Sequence, residues 1–232
     1  MLVKEFIQRV QSLYSKGVQS DDTRLSSRHI YHIGKTLRTK LFRQQINAKQ
    51  KVSQWNYQSL NCIKMVEVQE AQCPCVKPVG CKIYRSKYKI PSLITSKNKH
   101  AIQSLTSIEN SLEFNETTLL AKKYSKGRKY TSSKPEFFID EDYIYLTTKK
   151  APKIVSLIAL FEDPIEAQDF IQLCEGENPD CRSYLDYDFP ISGQDLDVLV
   201  QLTFKELNIF LQIKEDTKND SQDRSEIQTK QS

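Results

Sequence analysis

Three cysteines lie close enough along the chain to suggest metal chemistry. Cys73, Cys75 and Cys81 fall within nine residues, and Cys174 and Cys181 form a later group. Structural zinc sites use tetrahedral thiolate or imidazole ligands and commonly pair cysteines with two residues between them. Here only a proline separates Cys73 from Cys75. We therefore keep Cys73, Cys75 and Cys81 as weak metal candidates, with ordinary buried or loop thiols as the alternative, and predict no cofactor.

Histidines and catalytic motifs offer no reaction centre. His29 and His32 are three residues apart on a predicted helix, a spacing that can hold a metal, but no carboxylate or cysteine within a turn completes a ligand set. The G-x-S-x-G, H-E-x-x-H and P-loop motifs are absent. The sequence therefore predicts that the protein is not an enzyme.

Charge is divided between the two ends of the chain. Residues 1–135 hold 25 Lys/Arg against 8 Asp/Glu, whereas residues 136–232 hold 9 against 21. Residues 24–51, 82–99 and 122–134 together hold twenty cations and no acid. Such a chain can bind an acidic polymer, or bind copies of itself with unlike surfaces in contact, although a single basic cluster can also be merely solvated.

The elements that would position these charges begin with two helices. Residues 2–16 and the stretch from about residue 27 to about residue 50 both show helical periodicity. On the second helix, an apolar stripe contains Ile30, Ile33 and Leu37, with Gly34 allowing a neighbouring backbone to approach. The opposite side supplies candidates for a protein interface or a DNA-facing surface, namely Arg28, Tyr31, Lys35, Arg38, Phe42 and Lys49.

The middle of the chain has strand character. Residues 62–68, 82–90, 137–146 and 154–161 predict strands, the third range containing a hairpin, and together they indicate a sandwich or small barrel. In residues 82–90 the cations Arg85, Lys87 and Lys89 alternate with apolar side chains and are further interface or DNA candidates.

Helical periodicity returns after Pro164, in residues 165–173 and then from Ser192 to about residue 215, with Ser192 and Asp195 as a predicted cap. We predict an α+β protein in which residues 1–58 and 165–215 form a helical bundle. Residues 59–164 would form a β-rich domain, and residues 216–232 a disordered or partner-ordered tail.

Two general features bear on partners. Hydrophobic content of 38% is low for 232 residues, which indicates an extended shape or packing completed by other subunits. The sequence has no apolar run long enough to span a bilayer and no secretory signal, so we expect no membrane partner and reduced thiols.

Several segments resemble a structural protein of crAss-like gut bacteriophages. The resemblance covers roughly residues 22–215 and is carried by residues 53–63, the segment Cys73-Pro-Cys75, and residues 80–88, 96–100, 121–124, 129–132 and 160–164.

The resemblance implies a ring-forming connector of the virion neck, between the portal protein and the tail. Such connectors form dodecameric rings stacked on other neck ring and tail proteins, and packaged DNA passes through the lumen without being read for sequence. The implied location is the virion, after assembly in the host bacterial cytoplasm. The residues alone leave open an alternative, a soluble basic phage protein that binds nucleic acid.

Overall fold

The computed structural model describes residues 1–15, 25–68, 83–97, 99–109, 111–118, 120–121, 134–146, 151–175 and 182–211. The helices are α1 (Val3–Tyr14), α2 (Ser27–Asn47), α3 (Pro164–Glu175) and α4 (Gly193–Leu211). The strands are β1 (Gln58–Glu67), β2 (Tyr84–Ser86), β3 (Thr95–Ser96), β4 (Lys99–His100), β5 (Ile102–Ser107), β6 (Glu113–Glu116), β7 (Glu136–Asp140), β8 (Tyr143–Leu146) and β9 (Ile154–Ala159). The predicted mixed α+β class with a β-rich part is confirmed.

Seven of the described strands form a closed barrel in the order β1-β2-β8-β7-β6-β5-β9, with β9 pairing back to β1. Neighbouring strands are antiparallel except β6 and β7, which are parallel. Along β9, Val155, Leu157 and Ala159 are buried, as the period of two requires for a half-buried strand. Of the two predicted architectures, sandwich and barrel, the structure therefore has the barrel.

A bulge in β1 keeps its apolar residues on one face. Leu60 and Ile63 are three residues apart, so a regular strand would point them to opposite faces. The register against β9 shifts between these two residues, and both are buried in the barrel. An irregularity of this kind restores the inward direction after an odd spacing.

The hairpin between β7 and β8 closes with a two-residue loop. Asp140 pairs with Tyr143, and the intervening Glu141 and Asp142 have φ values of 48° and 65°. Two successive residues with positive φ are what the turn favoured in twisted hairpins needs. The predicted hairpin is confirmed. The predicted strand over residues 82–90 is shorter, because only Tyr84–Ser86 pairs with neighbours.

Helices α1, α2 and α4 bury their apolar sides in one shared cluster that includes Phe6, Ile30, Phe189 and Leu199. At Gly34 a Cβ would collide with the ring of Phe6. The close approach predicted at this glycine is thus made by a side chain, rather than by a neighbouring backbone.

Helix α4 begins with the predicted cap. The amide of Asp195 donates to the Ser192 hydroxyl at 3.3 Å, and that hydroxyl donates to the Asp195 carboxylate at 2.5 Å. Helix α3 instead lies on β1, and its Ala167 and Phe170 belong to the apolar cluster of the barrel.

Candidate assembly surface

Helix α2 is buried along two opposite sides. One side packs Ile30 and Ile33 against α1 and α4. The other carries Lys35 and Phe42 and meets the segment that links β9 to α3, together with the loop before β3. Tyr31 lies between the two sides, because its ring packs on the first cluster while its hydroxyl reaches Asp163. The aromatic residues on the basic side of α2 therefore mark a contact within the subunit.

On this side, the carboxylate of Asp163 is the acceptor for two side chains of α2. Nζ of Lys35 donates to its Oδ2 at 2.7 Å, and the hydroxyl of Tyr31 donates to its Oδ1 at 2.9 Å. Burial favours a higher pKa for Asp163, but these donors outweigh it and hold the pKa below its ordinary value. The pKa of Tyr31 is raised, mainly by burial and secondly by the negative charge of Asp163. These contacts fix the first turn of α3 against α2.

Arg38 is wholly buried, which overturns the prediction that it lies on a basic stripe opposite the buried side of α2. Its Nη1 donates to the carbonyl of Phe161 at 2.9 Å, its Nη2 to that of Asn56 at 3.3 Å, and its Nε to that of Pro190 at 3.2 Å. Its guanidinium lies 4.8 Å from the ring centroid of Phe42, which is also fully buried. Burial lowers the pKa of Arg38 to about 10, so the side chain remains charged at neutral pH.

Arg38 can be buried because of the shape of its guanidinium. Its five N–H groups point outward in one plane, so one arginine can satisfy carbonyls from several chain segments at once. Here it joins three segments: the stretch after β9, the turn before β1, and the approach to α4. Neither Arg38 nor Phe42 is left at the surface to contact DNA or a neighbour.

A second polar cluster surrounds Asp195 at the start of α4. Nδ2 of Asn56 donates to its Oδ2 at 2.7 Å, and Nε2 of Gln45 donates to its Oδ1 at 2.6 Å. The amide of Ser192 donates to Oδ1 of Asn56 at 2.6 Å. Burial favours a higher pKa for Asp195, but the donors Ser192, Asn56 and Gln45 outweigh it and lower the pKa. Asn56 thus connects this cluster to Arg38.

Four of the predicted interface or DNA candidates are exposed: Arg28, Lys49, Lys87 and Lys89. Arg85 is half-buried, and its guanidinium lies 4.3 Å from the ring centroid of Tyr143. Nζ of Lys89 lies 5.6 Å from the same centroid. Cations held over an aromatic face in this way form an ordered basic patch. A role for these residues in binding stays a prediction.

The acidic part of the charge division centres on residues 162–206, which hold twelve Asp/Glu against two Lys/Arg. Its exposed acids in the described part of the chain include Asp169, Asp186, Asp188 and Asp197. Lys4 approaches Asp186 at 3.4 Å and Arg9 approaches Asp197 at 3.9 Å, and both pairs are largely exposed. Exposed pairs of this kind contribute little to stability, so this surface keeps an acidic character.

Trp55 is the residue that sequence reasoning missed. It is the only tryptophan of the chain, and 81% of it is exposed. It lies in the short 3-10 helix Gln54–Asn56, beside the fully buried Asn56. Its signal in the sequence was its position in a polar stretch without acids, because tryptophan is usually buried or used for binding.

The metal candidates Cys73, Cys75 and Cys81 lie outside the described residues. Among the residues that are described, no three His, Cys, Asp or Glu side chains gather as a metal site would require. None of the described helices is both long and apolar enough to cross a membrane.

Comparison with known proteins identifies a family for this chain. The family model described as phage tail ring protein 2 matches residues 5–226. A search of curated proteins finds no match.

Proposed function

Because this chain belongs to the phage tail ring protein 2 family, we propose that its copies form a closed, non-enzymatic ring in the virion neck, between portal and tail, through which packaged DNA passes. Membership of this family confirms the resemblance to a ring protein of crAss-like phages and makes the chain a structural component of a bacteriophage tail. The finer statements are our proposal: twelve copies per ring, contact with the portal and with other neck ring and tail proteins, and assembly in the host cytoplasm.

The observation that carries this proposal is the extent of the match. Residues 5–226 include the barrel and nearly all of the helices, so the match extends over almost the whole described subunit and not over one common module. A ring subunit must hold its contact surfaces at a fixed angle, because the rotation between neighbours has to close a circle. Arg38, Asn56 and Asp195 hold the surfaces in place by tying α2, α4 and the stretch after β9 together.

Distribution of charge supports contacts of the head-to-tail kind. In a ring, one surface of each subunit meets a different surface of the next subunit. The chain offers exposed cations such as Lys49 within an acid-free segment, and exposed acids such as Asp186 and Asp188 in residues 162–206. Unlike charges favour this pairing and disfavour the pairing of like surfaces, which sets orientation and register.

For the DNA-facing surface we propose the patch of Arg85, Lys87 and Lys89. Passage of DNA needs contacts with phosphates that are weak and independent of sequence. The side chains of Lys35 and Arg38 bind groups within the subunit, which weakens the alternative of a soluble nucleic-acid-binding protein that uses α2. We also propose a division into a helical bundle of residues 1–58 and 165–215, of which α3 packs on the barrel, a β-rich domain of residues 59–164, and a tail of residues 216–232.

Purified virions provide the test. Mass spectrometry of the particles should detect this chain, and a reconstruction of the neck should contain a ring whose subunits fit the barrel and helices described here, with twelve copies around the channel. Absence of the chain from virions would overturn the proposal. A ring of another copy number would overturn the dodecamer alone.

A further inference from the structure

Trp55 is held rigidly at the surface. Its neighbours Val52 and Asn56 are buried, and Tyr57 is half-buried, so the short helix that carries Trp55 is anchored on both sides. The amide of Asn56 donates to the carbonyl of Ser53 at 3.1 Å, and the side chain of Asn56 is bonded to Asp195 and Ser192. An aromatic side chain on a fixed backbone loses little conformational entropy when it binds, which favours a role as an interface anchor.

The surroundings of Trp55 indicate an acidic protein surface as its partner. Residues 23–66 contain no Asp/Glu, and the two cations nearest to Trp55 along the chain, Lys49 and Lys51, are both exposed. Asp195 is bonded to Asn56, the neighbour of Trp55, but both of its carboxylate oxygens already accept hydrogen bonds from within the subunit. Duplex DNA would satisfy the lysines but keeps its bases stacked inside, so it offers an indole ring no apolar counterpart.

A surface with the complementary properties lies on α4. Val198 and Leu202 are one helical turn apart and therefore share a face, and they are 45% and 38% exposed. Asp197 beside them is exposed. This face belongs to the segment with twelve acids and two cations, so it combines an apolar pair with negative surroundings.

We propose that Trp55 binds the outer face of α4, at Val198 and Leu202, in a second copy of this chain. The indole would cover the two apolar side chains, while Lys49 and Lys51 would lie near carboxylates such as Asp197. The contact joins two different sites of the subunit, so it can run head to tail and be repeated around a ring. The inference rests on the proposed ring and names the residues of its subunit contact.

The single tryptophan makes the contact directly observable. For the full chain at increasing concentration, sedimentation velocity reports association, and acrylamide quenching of tryptophan emission reports the exposure of Trp55 alone. We expect association together with a shift of the emission to shorter wavelength and weaker quenching. Association without any change in quenching would overturn the Trp55 contact and leave the ring proposal standing. A chain that remains monomeric at millimolar concentration would also overturn the Trp55 contact. The ring proposal is tested separately, by the composition of virions.

Two substitutions identify the partner surface. Trp55→Ala and Leu202→Ala should each weaken self-association, Trp55→Ala by about 30-fold or more, as expected for a central aromatic anchor. If the two residues touch across the contact, the double variant should lose less than the product of the single losses. Ile108→Ala is the matched control, since Ile108 is 54% exposed on the barrel and should leave association unchanged. Independent effects of Trp55→Ala and Leu202→Ala would exclude α4 as the partner surface.

A photo-cross-linker gives a second, independent readout. With p-benzoylphenylalanine in place of Trp55, ultraviolet light should join position 55 to residues 194–206 of another copy, as peptide mass spectrometry would reveal. Cross-links to any other region, or to added duplex DNA, would contradict the proposal. Because Trp55 is so exposed, its substitution should leave the urea unfolding midpoint of the monomer unchanged, which separates lost contact from lost folding.

Discussion

Replacing Arg38 should loosen the joint between the helices and the barrel more than any other single change on α2. The substitution Arg38→Met keeps most of the buried stem but removes all three hydrogen bonds to the carbonyls of Asn56, Phe161 and Pro190. Those carbonyls come from separate segments, and methionine offers them no donor.

The size of the effect follows from two opposing contributions. A hydrogen bond to a charged group stabilises by about 1.5–3 kcal/mol, so three of them give roughly 5–9 kcal/mol. Burying a guanidinium costs several kcal/mol, and that cost disappears in the variant. We therefore expect Arg38→Met to lower the free energy of unfolding by about 3–4 kcal/mol.

Urea unfolding followed by far-ultraviolet circular dichroism measures this difference. Lys40→Met is the matched control, because Lys40 is exposed on the same helix and its loss should cost less than about 0.5 kcal/mol. Arg38→Lys should fall between the two, since an ammonium keeps the charge but lacks the planar fork. A loss below about 1 kcal/mol for Arg38→Met would refute the idea that this residue holds the segments together.

Three further predictions concern other parts of the subunit. Gly34→Ala should destabilise by about 1–3 kcal/mol in urea unfolding, because a Cβ there collides with a buried ring, whereas Gly193→Ala meets no atom within 4 Å and should be neutral or slightly stabilising. The pKa of Asp163 is lower in the folded chain than its ordinary value, so its stabilising contribution is present above about pH 4 and is lost as the pH falls. Acid titration of stability should therefore be shallower for Asp163→Asn, and an unchanged titration would contradict this. If Lys87 and Lys89 face DNA, replacing both with alanine should reduce the slope of log K against log salt for duplex binding by about two, and an unchanged slope would assign them elsewhere.

Local patterns were sufficient to predict most elements. The apolar spacing of α1 and α4, the Ser192 cap and the β7–β8 hairpin each depend on neighbours within a few residues, and each is confirmed. The bulge in β1 could not be predicted, because it arises from pairing with β9, about a hundred residues later. Closure of the barrel depends on the same long-range pairing, so the sequence left sandwich and barrel as alternatives.

The interpretation of α2 was wrong at Arg38 for a different reason. Helical periodicity places Arg38 about 80° around the helix from Ile30 and about 140° from Ile33, on the flank of the apolar stripe. A charged side chain in that position usually reaches solvent. Here both sides of α2 are covered, and the arginine finds backbone carbonyls instead of water. The presence of Tyr31 and Phe42 on that side was the available signal, since aromatic side chains among cations favour burial over simple solvation.

These contacts also change what the charge division can do for assembly. Part of it is used inside each subunit, where Lys35 meets Asp163 at 2.7 Å and Arg43 meets Glu162 at 3.4 Å. The more buried Lys35–Asp163 pair holds α2 against the segment before α3, and the charges of both pairs are already engaged within the subunit. Attraction between copies must therefore depend on the exposed remainder, such as Lys49 in the acid-free segment that contains Trp55, and Asp197 on α4. Exposed pairs alone are weak and screened by salt, so a stable ring requires apolar contacts as well, and salt should weaken the ring only in part.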